Sequence, residues 1–152
     1  MFDEQGSLRM YANILLSTDG SDVARKGVKH GITLAKALNA KVTVITVTEP
    51  AHAPRWVPKE DLSWDVALKE HADKALDKAR AMAKEIGISA EFLHVPNAYP
   101  APAIIETAKS RGCDLIVMAS HGREALRKLL LGSQTSEVLS SATVPVLVVP
   151  RT

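Results

Sequence analysis

Two polar clusters stand out in this chain, and the first has residue types and spacing suited to holding an anion. Ala119, Ser120, His121 and Gly122 directly follow the apolar run Leu115 to Met118, and nine residues separate Gly122 from the pair Gly132-Ser133. Glycine permits conformations and close approaches that a Cβ obstructs, and Ser133 is of a type that opens a helix, here over Gln134 to Ser141. Amides at a helix start, with Arg123, Arg127 and Lys128 between the two glycines, would surround a phosphate with donors and positive charge. The plainer account is loop punctuation, with Ser133 only capping the helix. His121 could point at a phosphate, although a loop histidine without a carboxylate or cysteine beside it is ordinarily just exposed. The second cluster is Ser17-Thr18-Asp19-Gly20-Ser21. Its Asp19, next to Gly20, suits turn chemistry.

Several elements must position these clusters. Ala12 to Thr18, Lys41 to Thr48, Ala90 to Val95, Leu115 to Met118 and Pro145 to Pro150 read as strands, rich in branched apolar residues and continuous rather than alternating. Between them, Ala24, Val28, Ala35 and Leu38 recur at helical spacing with Gly27 and Gly31 on the same side, where close packing on a sheet explains two residues that cost helix stability. Val66 to Ile86 carries a second stripe of Leu68, Ala72, Leu76, Ala79, Ala83 and Ile86, with its charged face solvated. Pro102 marks the start of a third helix that turns Ile104, Ile105 and Ala108 inward and stops at Gly112. Strands alternating with helices predict an α/β fold, a single five-stranded, mostly parallel sheet covered on both faces. Ligands of such sheets collect beyond the carboxyl ends of the strands, where the winding reverses. Asp19 and the loop after Ala119 meet there if the first and fourth strands are neighbours.

The last strand carries no charge from Val146 to Val149 and is expected at a sheet edge, which requires covering. Pairing with its own copy across a two-fold axis is one solution, so a homodimer through this strand is expected. Glu49 to Ser63, with Pro50, Pro54 and Pro58, is too proline-dense for a helix interior and longer than an ordinary connection. It reads as a lid or partner surface, with Trp56 and Trp64 packing over a helix.

With 152 residues, the chain is long enough to bury a core without disulfides or metal. A formal net charge of +2 gives no argument for nucleic acid or an anionic membrane. Cys113 is the single cysteine, suited to packing at a helix end. His52 and His71 have no suitably spaced partners for a metal. The first residues lack the apolar core of a signal peptide, and no apolar run approaches a membrane span, so a cytoplasmic protein is expected. The dinucleotide fingerprint, the Gly-Lys phosphate loop and the Gly-x-Ser-x-Gly elbow are all missing. Ser17 to Ser21 matches the loop of ATP pyrophosphatases only weakly, because Thr18 and Asp19 replace its paired glycines.

From about Tyr11 to Arg151 the chain resembles the universal stress protein family. The resemblance rests on Ile14-Leu15-Leu16-Ser17-Thr18-Asp19-Gly20-Ser21, Asp114 to Gly122, Leu131-Gly132-Ser133, and Val144 to Val149. It implies a tail over residues 1–10 and a family domain over 11–152, with a Rossmann-like sheet of the adenine nucleotide alpha hydrolase type in the order 3-2-1-4-5. It also implies homodimers through the last strand and, in some members, bound ATP or AMP. The family's nucleotide-binding branch carries Gly-x-x-Gly, nine residues, then Gly-Ser or Gly-Thr. Here Ala119 takes the place of the first glycine.

Carried over by position, Asp19 would hold ribose hydroxyls and the main chain at Val47 would read the adenine edge. Met118 and Ala119 would pass beneath the ribose, and Gly122, Gly132, Ser133 and Gln134 would hold phosphates, beside Arg123 and His121. The added methyl at Ala119 weakens binding if that position needs positive φ or presses on ribose, and changes little otherwise. The function implied is a non-catalytic regulatory module whose nucleotide occupancy biases a partner-binding surface. The alternatives are a dimeric interaction protein with an empty site, and a slow ATPase or phosphotransferase using Mg²⁺ held by the phosphates.

Overall fold

The computed structural model describes residues 2, 4, 6, 8–50, 63–121 and 131–151. Five strands occupy the expected apolar runs: β1 (Asn13–Ser17), β2 (Lys41–Val47), β3 (Glu91–Val95), β4 (Leu115–Ala119) and β5 (Val146–Val149). Among the described residues they alternate with α1 (Asp22–Leu38), α2 (Ser63–Ile86), α3 (Pro100–Ser110) and α4 (Ser133–Ser141). The sheet runs β3-β2-β1-β4-β5, and every neighbouring pair is parallel. β5 is therefore at an edge, as its apolar run predicts.

A parallel sheet needs crossovers that cover both faces, and the side chains sort accordingly. Ile14, Leu16, Val44 and Val117 pack on Val28 and Ile32 of α1 and Leu76, Ala79 and Ala83 of α2. The alternate residues Leu15, Ile45, Ile116 and Met118 pack on Ala101, Ile104 and Ala108 of α3 and Val138 of α4. Each fully buried branched side chain contributes about 1.5–3 kcal/mol relative to exposure. β1 leads through α1 to β2 on one side, while β4 lies on its other side. The winding thus reverses between β1 and β4.

Helix α1 lies unusually close to the sheet. A Cβ built on Gly31 would stand 2.3 Å from Leu16 Cδ2, and one on Gly27 would stand 3.1 Å from the Ala119 nitrogen. The two glycines on the inner face are explained by this close packing, which offsets their helix cost of about 1 kcal/mol each. The helix starts at the N-cap Ser21, whose Oγ accepts from the Ala24 N–H at 3.2 Å.

Three boundaries differ from expectation. Helix α3 begins at Pro100 rather than Pro102, with Tyr99 extended at the N-cap. Proline fits the first helical position because its missing N–H is unpaired there in any helix. Helix α2 begins at Ser63 rather than Val66. The N-cap of α4 is Gly132, and Ser133 is its first helical residue, so Ser133 is not the cap. The expected lid or partner surface falls mostly on residues 51–62, outside the described residues, as do the side chains of Trp56 and Trp64 and all of Gly122 and Arg123. Among the described residues no helix is long and apolar enough to cross a membrane.

Candidate functional site

The turn after β1 is held by its own polar side chains. Thr18 Oγ1 accepts from the Gly20 N–H at 3.1 Å, and Asp19 Oδ1 accepts from the Ser21 N–H at 2.9 Å. Gly20 has a φ of +80°, and a Cβ there would approach Ala75 Cβ to 3.0 Å, so both conformation and space require glycine. The turn chemistry expected of Asp19 is therefore real, yet the residue also lines a cavity.

The start of α4 is tied to the end of β4. The Ser120 N–H donates to the Val149 carbonyl at 2.9 Å, and the Gly132 N–H donates to the Ser120 carbonyl at 2.8 Å. Thr135 Oγ1 donates to the Ala119 carbonyl at 3.0 Å, and Gln134 Oε1 accepts from the Ala101 N–H at 2.9 Å. Gln134 thereby serves the first turn of α3, where no Tyr99 side-chain bond provides a cap. Two expectations change as a result. The Gly132 amide is spent on backbone, and its φ of −60° is ordinary for any residue, so it supplies position rather than a donor or a special conformation. The first turn of α4 carries no side-chain cap, which leaves its positive end as the electrostatic feature there.

Between these elements, at the reversal of winding, lies a cavity of about 110 Å³. It is lined by Ser17, Thr18, Asp19, Ala24, Val47, Pro100, Ile104, Met118, Ala119, His121, Gln134 and Thr135. Six of the ten expected site residues thus converge on it: Asp19, Val47, Met118, Ala119, His121 and Gln134. Gly132 and Ser133 stand next to it at the head of α4, and Gly122 and Arg123 lie outside the described residues. The expected site residues did not include Ser17, Thr18, Ala24, Pro100, Ile104 and Thr135. Pro100 and Ile104 arrive because α3, following β3, must also begin at the carboxyl end of the sheet. The available signal was the proline at a helix start, which had been placed two residues late.

Ala119 lies within β4 and is not among the residues with positive φ. Its methyl lies 3.5 Å from where a Cβ on Gly27 would sit, so a missing side chain on α1 makes room for it. The condition under which this substitution changes little is the one met for the backbone.

His121 departs furthest from expectation. It is 6% exposed, its Nδ1 lies 3.0 Å from Ser120 Oγ, and its Nε2 is buried without a hydrogen-bond partner. An unpaired buried polar atom costs about 1–3 kcal/mol and requires an explanation. Chemically, the cavity joins an apolar wall of Val47, Ile104 and Met118, which suits a flat ring, to the Asp19 acceptor, which suits hydroxyls. The head of α4 and the orphan imidazole nitrogen suit an anion.

Two other titratable groups lie away from the cavity lining. His94 Nε2 pairs with Thr48 Oγ1 at 2.8 Å, and burial holds its pKa below 6.5 despite the Asp73 carboxylate, with Lys69 adding to the lowering. The Cys113 thiol is buried in the α3 and α4 core, and burial, then Asp114, pushes its pKa up from 9.0. That suits packing and opposes thiolate chemistry.

The universal stress protein family model matches residues 10–150. The chain is 37% identical over 145 residues to a universal stress protein of Methanocaldococcus jannaschii, covering 93% of this chain and 84% of that one. The solved structure of the universal stress protein UspA from Lactobacillus plantarum superposes with a TM-score of 0.80 at 26% identity, over 94% of this chain and 99% of that one. A universal stress protein solved in complex with cAMP superposes with a TM-score of 0.72 at 28% identity, over 93% and 99% of the two chains. The sheet order, the glycine-spaced loop after β4 and these likenesses agree: the chain belongs to the universal stress protein family.

Proposed function

We propose that this chain, through its family domain over residues 11–152, is a non-catalytic, adenine-nucleotide-binding regulatory homodimer of the cytoplasm. ATP or AMP occupancy of the cavity between β1 and β4 biases a surface read by a protein partner. The observation that carries the reading is the convergence of Asp19, Val47, Met118, Ala119 and His121 on one cavity beside the head of α4. The cAMP complex of a relative at 28% identity supports the ligand class. Asp19 accepts from the ribose hydroxyls, the Val47 main chain meets the adenine edge, and Met118 and Ala119 floor the ribose. Phosphates lie against the first turn of α4, formed by Ser133 and Gln134 after Gly132, with Gly122 and Arg123 of the preceding loop. Mg²⁺ accompanies the ligand when that ligand is a triphosphate.

The homodimer reading rests on β5. This apolar edge strand forms, with Lys26, Lys29 and His30 of α1, a groove of about 570 Å³. Covering an uncharged edge with its own copy removes an aggregation hazard. Light scattering should give twice the 16.4 kDa chain mass, and Val148→Asp should halve it. A monomeric wild type overturns the dimer.

The ligand is tested by nucleotide chromatography of freshly purified protein and by isothermal titration with ATP and AMP. Co-purified or titratable adenine nucleotide is expected. No heat from a correctly folded protein overturns the reading.

A further inference from the structure

Ser17 is the last residue of β1, in register with Ile45 of β2. Side chains alternate along a strand, so it faces the same side of the sheet as Leu15, which is in the core with Ile104 of α3 and Val138 of α4. There it lines the cavity among the apolar side chains of Val47, Ile104 and Met118. The other hydroxyls of the lining serve the fold: Thr18 Oγ1 accepts from the Gly20 N–H, and Thr135 Oγ1 donates to the Ala119 carbonyl. The Ser17 hydroxyl has no hydrogen-bond partner among the described residues. Packing alone would favour a small apolar residue here, because that leaves no polar atom to satisfy in an apolar wall.

Resting on the nucleotide reading, we propose that Ser17 is a specificity-determining residue of this cavity: its hydroxyl donates to a ring nitrogen of the base, so that the site takes a purine with an acceptor on the edge turned toward β1. The sheet order supports this placement, because β1 lies between β2 and β4. A base whose one edge meets the Val47 main chain on β2, and whose ribose rests on Met118 and Ala119 of β4, spans β1. Ser17 is the residue of β1 that lines the cavity beneath that span. With N1 and the amino group of adenine toward Val47, N3 and N7 are the ring acceptors left to meet a donor. A site that hydrogen-bonds such an atom rejects an analogue lacking it, because its own polar group is then left unpaired beside the ligand.

Isothermal titration of the full chain with AMP, 3-deaza-AMP and 7-deaza-AMP tests this by comparing wild type with Ser17→Ala. Loss of one neutral hydrogen bond should weaken AMP binding about fivefold in the variant. That loss should vanish for one of the two analogues, the one lacking the nitrogen that the hydroxyl meets, and persist for the other. Equal AMP affinity of wild type and variant overturns the inference and leaves the nucleotide reading intact. A loss that persists with both analogues, or vanishes with both, overturns it as well, since the hydroxyl then does not read one ring nitrogen. If Ser17→Ala fails to fold, Ser17→Cys takes its place in the same comparison, its thiol being close in size and only a weak donor. Absence of AMP binding by folded wild type overturns the nucleotide reading and the inference together.

Discussion

The two ends of the sheet treat polar groups in opposite ways. At the amino end, Asp114 accepts from the Ala12 and Asn13 N–H groups at 2.8 and 3.0 Å, Asn13 Nδ2 donates to the Arg111 carbonyl at 2.8 Å, and Arg111 pairs with Glu91. At the carboxyl end, the His121 Nε2 is unpaired and the first turn of α4 has no side-chain cap. At the amino end these polar side chains meet backbone and one another, while at the carboxyl end, among the described residues, a buried imidazole nitrogen is left without a partner. A saturated network stabilises, whereas buried polar groups left unpaired are tolerated where a ligand uses them.

The largest expected effect comes from breaking the hydrogen-bond network at the amino end. Asp114→Ala removes the acceptor of two β1 amides, and chemical denaturation should report a loss of about 2–4 kcal/mol, at about 1.5–3 kcal/mol for each charge-assisted bond after partial rescue by water. AMP affinity, measured where the variant remains folded, should be unchanged. A large affinity loss would mean that the two ends are not separable.

The converse substitution comes next. Asp19→Ala should reduce AMP affinity about tenfold, or about 1.4 kcal/mol. Loss of its turn hydrogen bond from the Ser21 N–H should by itself cost about 1 kcal/mol of stability. Isothermal titration and denaturation on one preparation separate the two, and an unchanged affinity would remove Asp19 from the site.

Ala119→Gly sharpens the comparison within β4. With its φ not positive and its methyl against Gly27, the alanine is packing, so the glycine variant should lose about 0.5–1 kcal/mol of stability. AMP affinity should change less than twofold. A large gain would show that the methyl obstructs ligand.

The smallest effect belongs to His94, which lies outside the cavity lining. Because burial lowers its folded pKa below 6.5, the unfolded chain takes up that proton first. Its contribution to stability is full above pH 6.5 and is lost as pH falls from there through the folded value. His94→Gln should flatten that part of the stability profile by a fraction of a kilocalorie without altering the pH dependence of AMP binding. An altered binding profile would place His94 at the ligand site.

The sheet was largely legible in the sequence because continuous apolar runs and inward-facing glycines are local signals of burial on two faces and of close helix approach. The edge position of β5 could be read from the absence of charge over Val146 to Val149. The site was legible in part. Asp19 and the loop after Ala119 were placed by type and spacing, but nothing local indicates that His121 is buried, since burial is set by tertiary neighbours. For the same reason Gln134 read as a phosphate contact, although its Oε1 accepts from the Ala101 N–H in the first turn of α3. Which group a flexible amide meets is set by tertiary neighbours, not by its position after a glycine. The start of α3 was read late because both Pro100 and Pro102 suit a first turn.

The central claim is that ligand binds at the carboxyl end of the sheet and not at the amino end. Amide chemical-shift mapping during an AMP titration tests it most directly. The account predicts saturable shifts at Thr18, Asp19, Val47, Ala119, Ser120 and Gln134, with Asn13, Arg111 and Asp114 unmoved. Shifts concentrated at the Asp114 end, or none at any AMP concentration with the protein folded, would contradict it.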